Sequence, residues 1–299
     1  MLNTVSWKNG NYTVSISLEN GTKIRVNDLD NLTPEYPECL DVKITNCCDM
    51  MCSQCHEGST PDGAHGDIMN AKFIDSLHPW TELAIGGGNP LDHPDLIPFL
   101  EKCKELKLIP NMTIHQHHFM KNLELIRELR DKQLIYGLGV SINSVFPELV
   151  KALQEFPNAV CHVIAGIVSE HTLRYLSHNQ LKILILGFKQ IRRGEDLYKS
   201  YGKQIDENIK ILWELLPDIQ KDGWFKTVSF DNLAIKQLYP QRLLDKEVWD
   251  MSYMGDDAQY TYFVDLVKNQ FAPSSTSKKR FPLMDDCRDM LKIVREEGV

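Results

Sequence analysis

The sequence predicts an α/β fold made of successive strand–helix units across residues 38–195. Short aliphatic and β-branched runs recur there, each ending among polar residues. Helical stretches separate them, at Pro94–Leu106, Met120–Lys132, Phe146–Glu155 and Glu170–Ser177, and the alternation amounts to six βα units.

Taken in order, residues 11–27 read as two alternating strands about an Asn20-Gly21 turn, a hairpin signal. Such a hairpin could cover the bottom of the fold or offer an edge strand to a peptide. The first strand of the repeating pattern is Glu38–Thr45, in which Leu40, Val42 and Ile44 alternate with polar residues. From its C-terminal end leaves a loop carrying Cys48, Cys52 and Cys55 at the spacing C-x3-C-x2-C. Thiolates so spaced can hold three irons of a cubane [4Fe-4S] cluster and leave the fourth iron without a protein ligand. Buried cysteines and a zinc site are the alternatives at this point. A tetrahedral zinc site wants two separated pairs, however, and no second C-x2-C pair exists. Cys47 and His56 adjoin the triplet, where the chain can hardly wrap back to complete a tetrahedron.

The second strand, Glu82–Ile85, runs into Gly86-Gly87-Gly88-Asn89-Pro90, where the missing Cβ atoms let backbone groups approach a ligand. Four further strands are expected at Ile109–His118, Ile135–Asn143, Val160–Val168 and Lys182–Lys189. The third contains His115, His117 and His118; strand alternation puts the first two on one face and the last on the other, so no three-ligand site is expected. After residue 195 the reading is a helix (Gln204–Leu216), a strand (Phe225–Phe230), two short helices, a hairpin (Gln259–Phe271) and a terminal helix (Asp285–Glu297).

With the cysteine loop after one strand and Gly87-Gly88-Asn89-Pro90 after the next, the chain resembles the radical S-adenosylmethionine (SAM) superfamily over roughly residues 38–195. Within it, the closer likeness is to peptide-modifying members. The resemblance implies a partial (β/α)6 TIM-like barrel, preceded by an N-terminal hairpin at 1–37 and followed by a small α+β extension at 196–299. It also implies a [4Fe-4S] cluster on Cys48, Cys52 and Cys55, with SAM held by Gly86, Gly87, Gly88, Asn89 and Pro90. Ser141 and Asn143 would then meet the SAM ribose or carboxylate, and Ile164, with Gly166, would flank the adenine. Two residues depart from the pattern: Asn89 stands where the family carries a carboxylate, and Gln54 where an aromatic residue commonly precedes the third cysteine. Lys189, Arg192 and Arg193 could pair with the SAM carboxylate or with an acidic substrate, or form a solvated basic turn.

What the resemblance implies chemically is reductive cleavage of SAM to methionine and a 5'-deoxyadenosyl radical, which takes hydrogen from a substrate. A peptide or protein substrate is the first expectation (epimerisation, a cross-link or a rearrangement), with a low-potential flavodoxin or ferredoxin as electron donor. Modification of a nucleotide, nucleobase or RNA is the alternative, and a non-catalytic Fe-S or zinc-binding interaction module the alternative of another class. The net charge of −8 weighs against nucleic acid as main partner. Beyond residue 195 only Cys287 remains, so an auxiliary cluster is not expected. Cys39, Cys47, Cys103, Cys161 and Cys287 are candidates for a hydrogen-donating thiol, or simply inert cysteines. The absence of a signal-peptide pattern or membrane-length apolar stretch leads us to expect a cytoplasmic enzyme with reduced thiols.

Overall fold

The structure is a computed structural model that describes residues 4–27 and 31–297; residues 1–3 and 28–30 of the predicted N-terminal extension, and residues 298–299, lie outside the described residues. Strands β1 (Thr4–Asn9), β2 (Tyr12–Ser17) and β3 (Lys23–Val26) form an antiparallel sheet in that order. The predicted hairpin is its β2–β3 half, with Asn20 Oδ1 accepting from the Thr22 N–H at 2.9 Å. Strand β1 adds a third strand ahead of it.

The second sheet contains β4 (Cys39–Thr45), β5 (Glu82–Gly87), β6 (Ile109–His115), β7 (Gly137–Ser141), β8 (Ala159–Ile164), β9 (Lys182–Leu186), β10 (Thr227–Phe230), β11 (Thr261–Asp265), β12 (Gln270–Ala272) and β13 (Phe281–Pro282). Its order is β10-β9-β8-β7-β6-β5-β4-β11-β12-β13, parallel from β10 through β11 and antiparallel thereafter. All six predicted strands are present and adjacent. The pairing order is open at β10 and β13, so the architecture is a mixed α/β fold around one large, mostly parallel sheet. Four strands from beyond residue 195 join it; of these, β10 pairs β9 and β11 pairs β4, both parallel.

Helices α1 (Leu96–Glu105), α2 (Gln116–Lys121), α3 (Leu123–Asp131), α4 (Pro147–Gln154), α5 (Glu170–Leu176), α6 (Arg193–Lys221), α7 (Asn232–Leu238), α8 (Lys246–Ser252) and α9 (Cys287–Glu297) complete the chain. Between β4 and β5 stands a short 3-10 turn, Lys72–Ser76. Helix α6 starts eleven positions earlier than expected (193 against 204), and its backbone breaks at Tyr201.

Period-two alternation divides the sheet's two faces. Leu40, Val42, Ile44, Leu83, Ile85, Val140, Val163 and Ile183 are buried with Phe73, Phe99 and Leu149 in the main core. The opposite face carries Asp41, Asn111, Thr113, His115, Ser141 and His162, all at least partly exposed. The polar strand ends foreseen in the sequence therefore share one face. Among the described residues no helix is long and apolar enough to cross a membrane.

Candidate functional site

The cysteine loop is built by a return of the chain on itself. Asn46 N–H donates to Ala64 O (2.8 Å), Cys48 N–H to Thr60 O (2.9 Å) and Gly66 N–H to Ile44 O (2.8 Å). These bonds lay residues 60–66 against the end of β4 and force residues 49–59 out as an excursion that holds Cys52 and Cys55, with Cys48 at its base. The approach is close: a Cβ at Gly63 would stand 2.0 Å from Asn46 O.

Cys48, Cys52 and Cys55 are unoxidised and half-buried, and Cys55 N–H closes a turn onto Cys52 O at 3.2 Å. Burial pushes the Cys48 and Cys52 thiols up; the charges of neighbouring cysteines push further, Cys52 and Cys55 on Cys48 and Cys55 on Cys52. Thiolates that repel one another across one loop form a donor set that bound metal stabilises, since metal ligation requires their deprotonation. Cys47 is not aimed with them, as its thiol donates to Pro61 O at 3.2 Å.

Charged residues pin this loop to the sheet. Arg193, at the start of α6, donates from Nε to Cys52 O and from Nη1 to Ser59 O, both at 2.9 Å. Arg192 donates to His56 O (2.9 Å), Glu57 O (2.8 Å) and Glu57 Oε2 (3.1 Å). Glu57 also receives Lys43 Nζ of β4 at 2.6 Å, with 8% and 2% of the two side chains exposed. On the other side of the loop His118 Nε2 meets Asp49 Oδ1 at 2.7 Å. Cys48, Asp49 and His118 bring their donor atoms within 4.8 Å of one another.

The glycine turn is bonded directly onto the cysteine loop. Gly88 N–H donates to Thr45 O at 2.8 Å and Asn89 N–H to Cys47 O at 2.7 Å. Gly87 has φ 111°, a left-handed value that favours glycine, and a Cβ at Gly88 would sit 2.1 Å from Cys47 O. A Cβ at Gly86 would meet nothing within 4 Å, so space opens beside that residue. Asn89 is 3% exposed, yet its Oδ1 has no hydrogen-bond partner. Pro90 begins a short 3-10 turn, after which His93 Nε2 meets Gly66 O at 2.9 Å. A buried acceptor without a donor costs free energy, and an ammonium group such as that of SAM would satisfy it. The cysteine set and the orphaned carbonyl both fit a cluster with SAM.

Ser141 ends β7 opposite His115 of β6 and His162 of β8, and Ile164 ends β8 opposite Leu186. Asn143 lies beyond β7, its N–H donating to Gln116 Oε1 at 2.6 Å. Its side-chain amide is 2.8 Å from His115 Nε2 and 3.4 Å from Gln54 Nε2, which brings Asn143 to the cysteine loop. The histidine expectation needs correction, because β6 stops at His115 and α2 begins at Gln116. His115 caps that helix by accepting from His117 N–H at 3.1 Å, and burial pushes its imidazole down to about 4. Helical turning, rather than strand alternation, aims His118 into the loop. Arg192 and Arg193 likewise hold loop carbonyls, and Lys189 donates to Ser275 Oγ at 3.0 Å.

Among solved structures the chain is similar to Streptococcus suis SuiB bound to precursor peptide SuiA, at 13% identity and TM-score 0.60, over 99% of this chain and 88% of that one. It is similar to SuiB bound to S-adenosylmethionine at 12% identity, with the same TM-score of 0.60 and the same 99% and 88% coverage. Native anSMEcpe with bound AdoMet and Cp18Cys peptide matches at 11% identity and TM-score 0.54, over 85% of this chain and 80% of that one. No protein-family model and no curated protein matches the sequence. The resemblance to the radical SAM superfamily read from two motifs is thus met by a fold shared with proteins bound to S-adenosylmethionine.

Sequence reasoning missed Asp49, Glu57, Lys43 and Gln116 as parts of the site. A charged residue in the middle of a strand flanked by the buried Val42 and Ile44 was the one signal available, and it pointed to Lys43.

Proposed function

We propose that this protein is a radical SAM enzyme, with a [4Fe-4S] cluster on Cys48, Cys52 and Cys55 and SAM against Gly86, Gly87, Gly88, Asn89 and Pro90. The observation that carries the reading is the bond from Asn89 N–H to Cys47 O, which joins the two motifs while the Asn89 side-chain carbonyl stays buried without a donor. When bound and reduced, the cluster would supply one electron to break a carbon–sulfur bond of SAM, giving methionine and a 5'-deoxyadenosyl radical that takes hydrogen from the substrate. The chain's own residues bind and orient: Asn89 Oδ1 accepts from the methionine ammonium, the space at Gly86 admits its backbone, and Ser141, Asn143 and Ile164 bound the ribose and adenine side.

A peptide or protein is the proposed substrate, supported by the shared fold with SuiB bound to its precursor peptide and anSMEcpe bound to a peptide. We place the enzyme in the cytoplasm with a flavodoxin or ferredoxin as donor, where thiols stay reduced. The test is anaerobic reconstitution, expected to give about four irons per chain, followed by dithionite and SAM. Release of 5'-deoxyadenosine from the natural sequence and none from C52A is expected; an intact cluster that releases none refutes the enzymatic reading.

A further inference from the structure

The charges around the cysteine loop do not cancel evenly. Asp49 is matched by His118 at 2.7 Å, and Glu57 by Lys43 at 2.6 Å and Arg192 at 3.1 Å. The acidic residues that follow in α6, Glu195 and Asp196, face Lys199. Arg193 has no carboxylate within salt-bridge distance among the described residues. Its guanidinium is spent on neutral acceptors, Cys52 O and Ser59 O at 2.9 Å each and Met51 Sδ at 3.9 Å. A half-buried cation is thus fixed, by two bonds from one planar group, against the backbone of the middle cysteine.

We infer that Arg193 sets the reduction potential of the cluster, as an uncompensated positive charge held beside Cys52, besides positioning the loop. This rests on the cluster reading above. A cluster held by three thiolates becomes more negative by one charge on reduction, and a nearby fixed cation stabilises that state more than the oxidised one. Partial burial limits the screening that would cancel the effect at a fully solvated site. Arg192 is less suited to this part, because Glu57 faces it at 3.1 Å while Lys43, which shares Glu57, also has Asp265 at 3.8 Å. The same bonds carry the positioning role, which lysine cannot reproduce because it lacks the planar fork.

The experiment is an anaerobic redox titration of the reconstituted full chain, followed by the electron paramagnetic resonance signal of the reduced cluster, for the natural sequence, R193Q and R193K. R193Q is expected to lower the ratio of reduced to oxidised cluster about tenfold at a fixed potential, a midpoint shift of about 59 mV downward for a one-electron couple. R193K, which keeps the charge, is expected to stay near the natural midpoint. An R193Q protein with full iron content and an unmoved midpoint overturns the proposal, as does an R193K midpoint that falls as far as that of R193Q. Should R193Q not retain a cluster, R193M, a charge-free variant of similar length, decides in its place: a lowered midpoint supports the charge role, an unmoved one overturns it. A natural chain that takes up no cluster overturns the cluster reading itself, a result separate from either Arg193 outcome.

Discussion

Asn89 donates its backbone N–H to the carbonyl of Cys47 at 2.7 Å, so the turn after β5 is fastened to the residue immediately ahead of the first loop cysteine. The two motifs are therefore one structural unit, and disturbing either should be felt at the other.

Gly88 gives the sharpest test of that unit. A Cβ there would stand 2.1 Å from Cys47 O, so G88A must push the turn away from the loop. SAM affinity, measured by isothermal calorimetry on the reconstituted protein, is expected to fall at least about tenfold, ~1.4 kcal/mol. Unchanged affinity would mean that the turn does not face the ligand.

Asn89 should separate stability from binding. Its Oδ1 is buried without a donor, so N89A removes an unsatisfied group and is expected to leave the melting temperature of the unliganded protein unchanged or raised. SAM binding should weaken by about tenfold, whereas N89E, which restores a charge-assisted acceptor, should bind at least as tightly as the natural chain.

Glu57 ties the loop to stability at low pH. Burial opposes its ionisation, but hydrogen bonding and charge from His56 and Lys43 hold its carboxyl well below the ordinary 4.5. A folded-state value below the unfolded one gives stability that is fully present above about pH 4.5 and lost as pH falls toward the folded value. E57Q leaves buried Lys43 with only the more distant Asp265, 3.8 Å away, as its anion and should cost about 3 kcal/mol at neutral pH. It should also flatten the acid limb of the stability profile, read by denaturant titration at several pH values. An acid limb as steep as in the natural chain would reject this account of Glu57.

His118 is expected to act through Asp49. H118L keeps an apolar filling at a site only 3% exposed but removes the 2.7 Å tether. Iron loss to a chelator should be several-fold faster than in the natural chain while circular dichroism stays unchanged; equal rates would make the His118–Asp49 contact incidental to the loop.

Much of this site was legible because its signals are local. Leu40, Val42 and Ile44 announce β4 by alternation, and the cysteine and glycine motifs lie within a few residues of the strands that carry them. The failures came where distant or competing forces decide. Gln116, His117 and His118 could continue β6 by propensity, yet the His115 side chain caps α2 there, and the helix turns His118 onto Asp49. Arg192 and Arg193 read either as partners of the SAM carboxylate or an acidic substrate or as a basic turn, because nothing in sequence places them against loop carbonyls more than a hundred residues earlier. β10 and β11 were visible as strands, but their pairing with β9 and β4 is a long-range event that a short apolar run does not specify.

On the function proposed above, the cysteine loop and the glycine turn form one site in which SAM meets the cluster. This is tested most directly by the electron paramagnetic resonance spectrum of the reduced, reconstituted protein before and after SAM is added. The spectrum is expected to change in the natural chain and to change less at equal SAM in G88A. A spectrum that SAM leaves untouched in the natural chain, with the cluster intact, would contradict this reading.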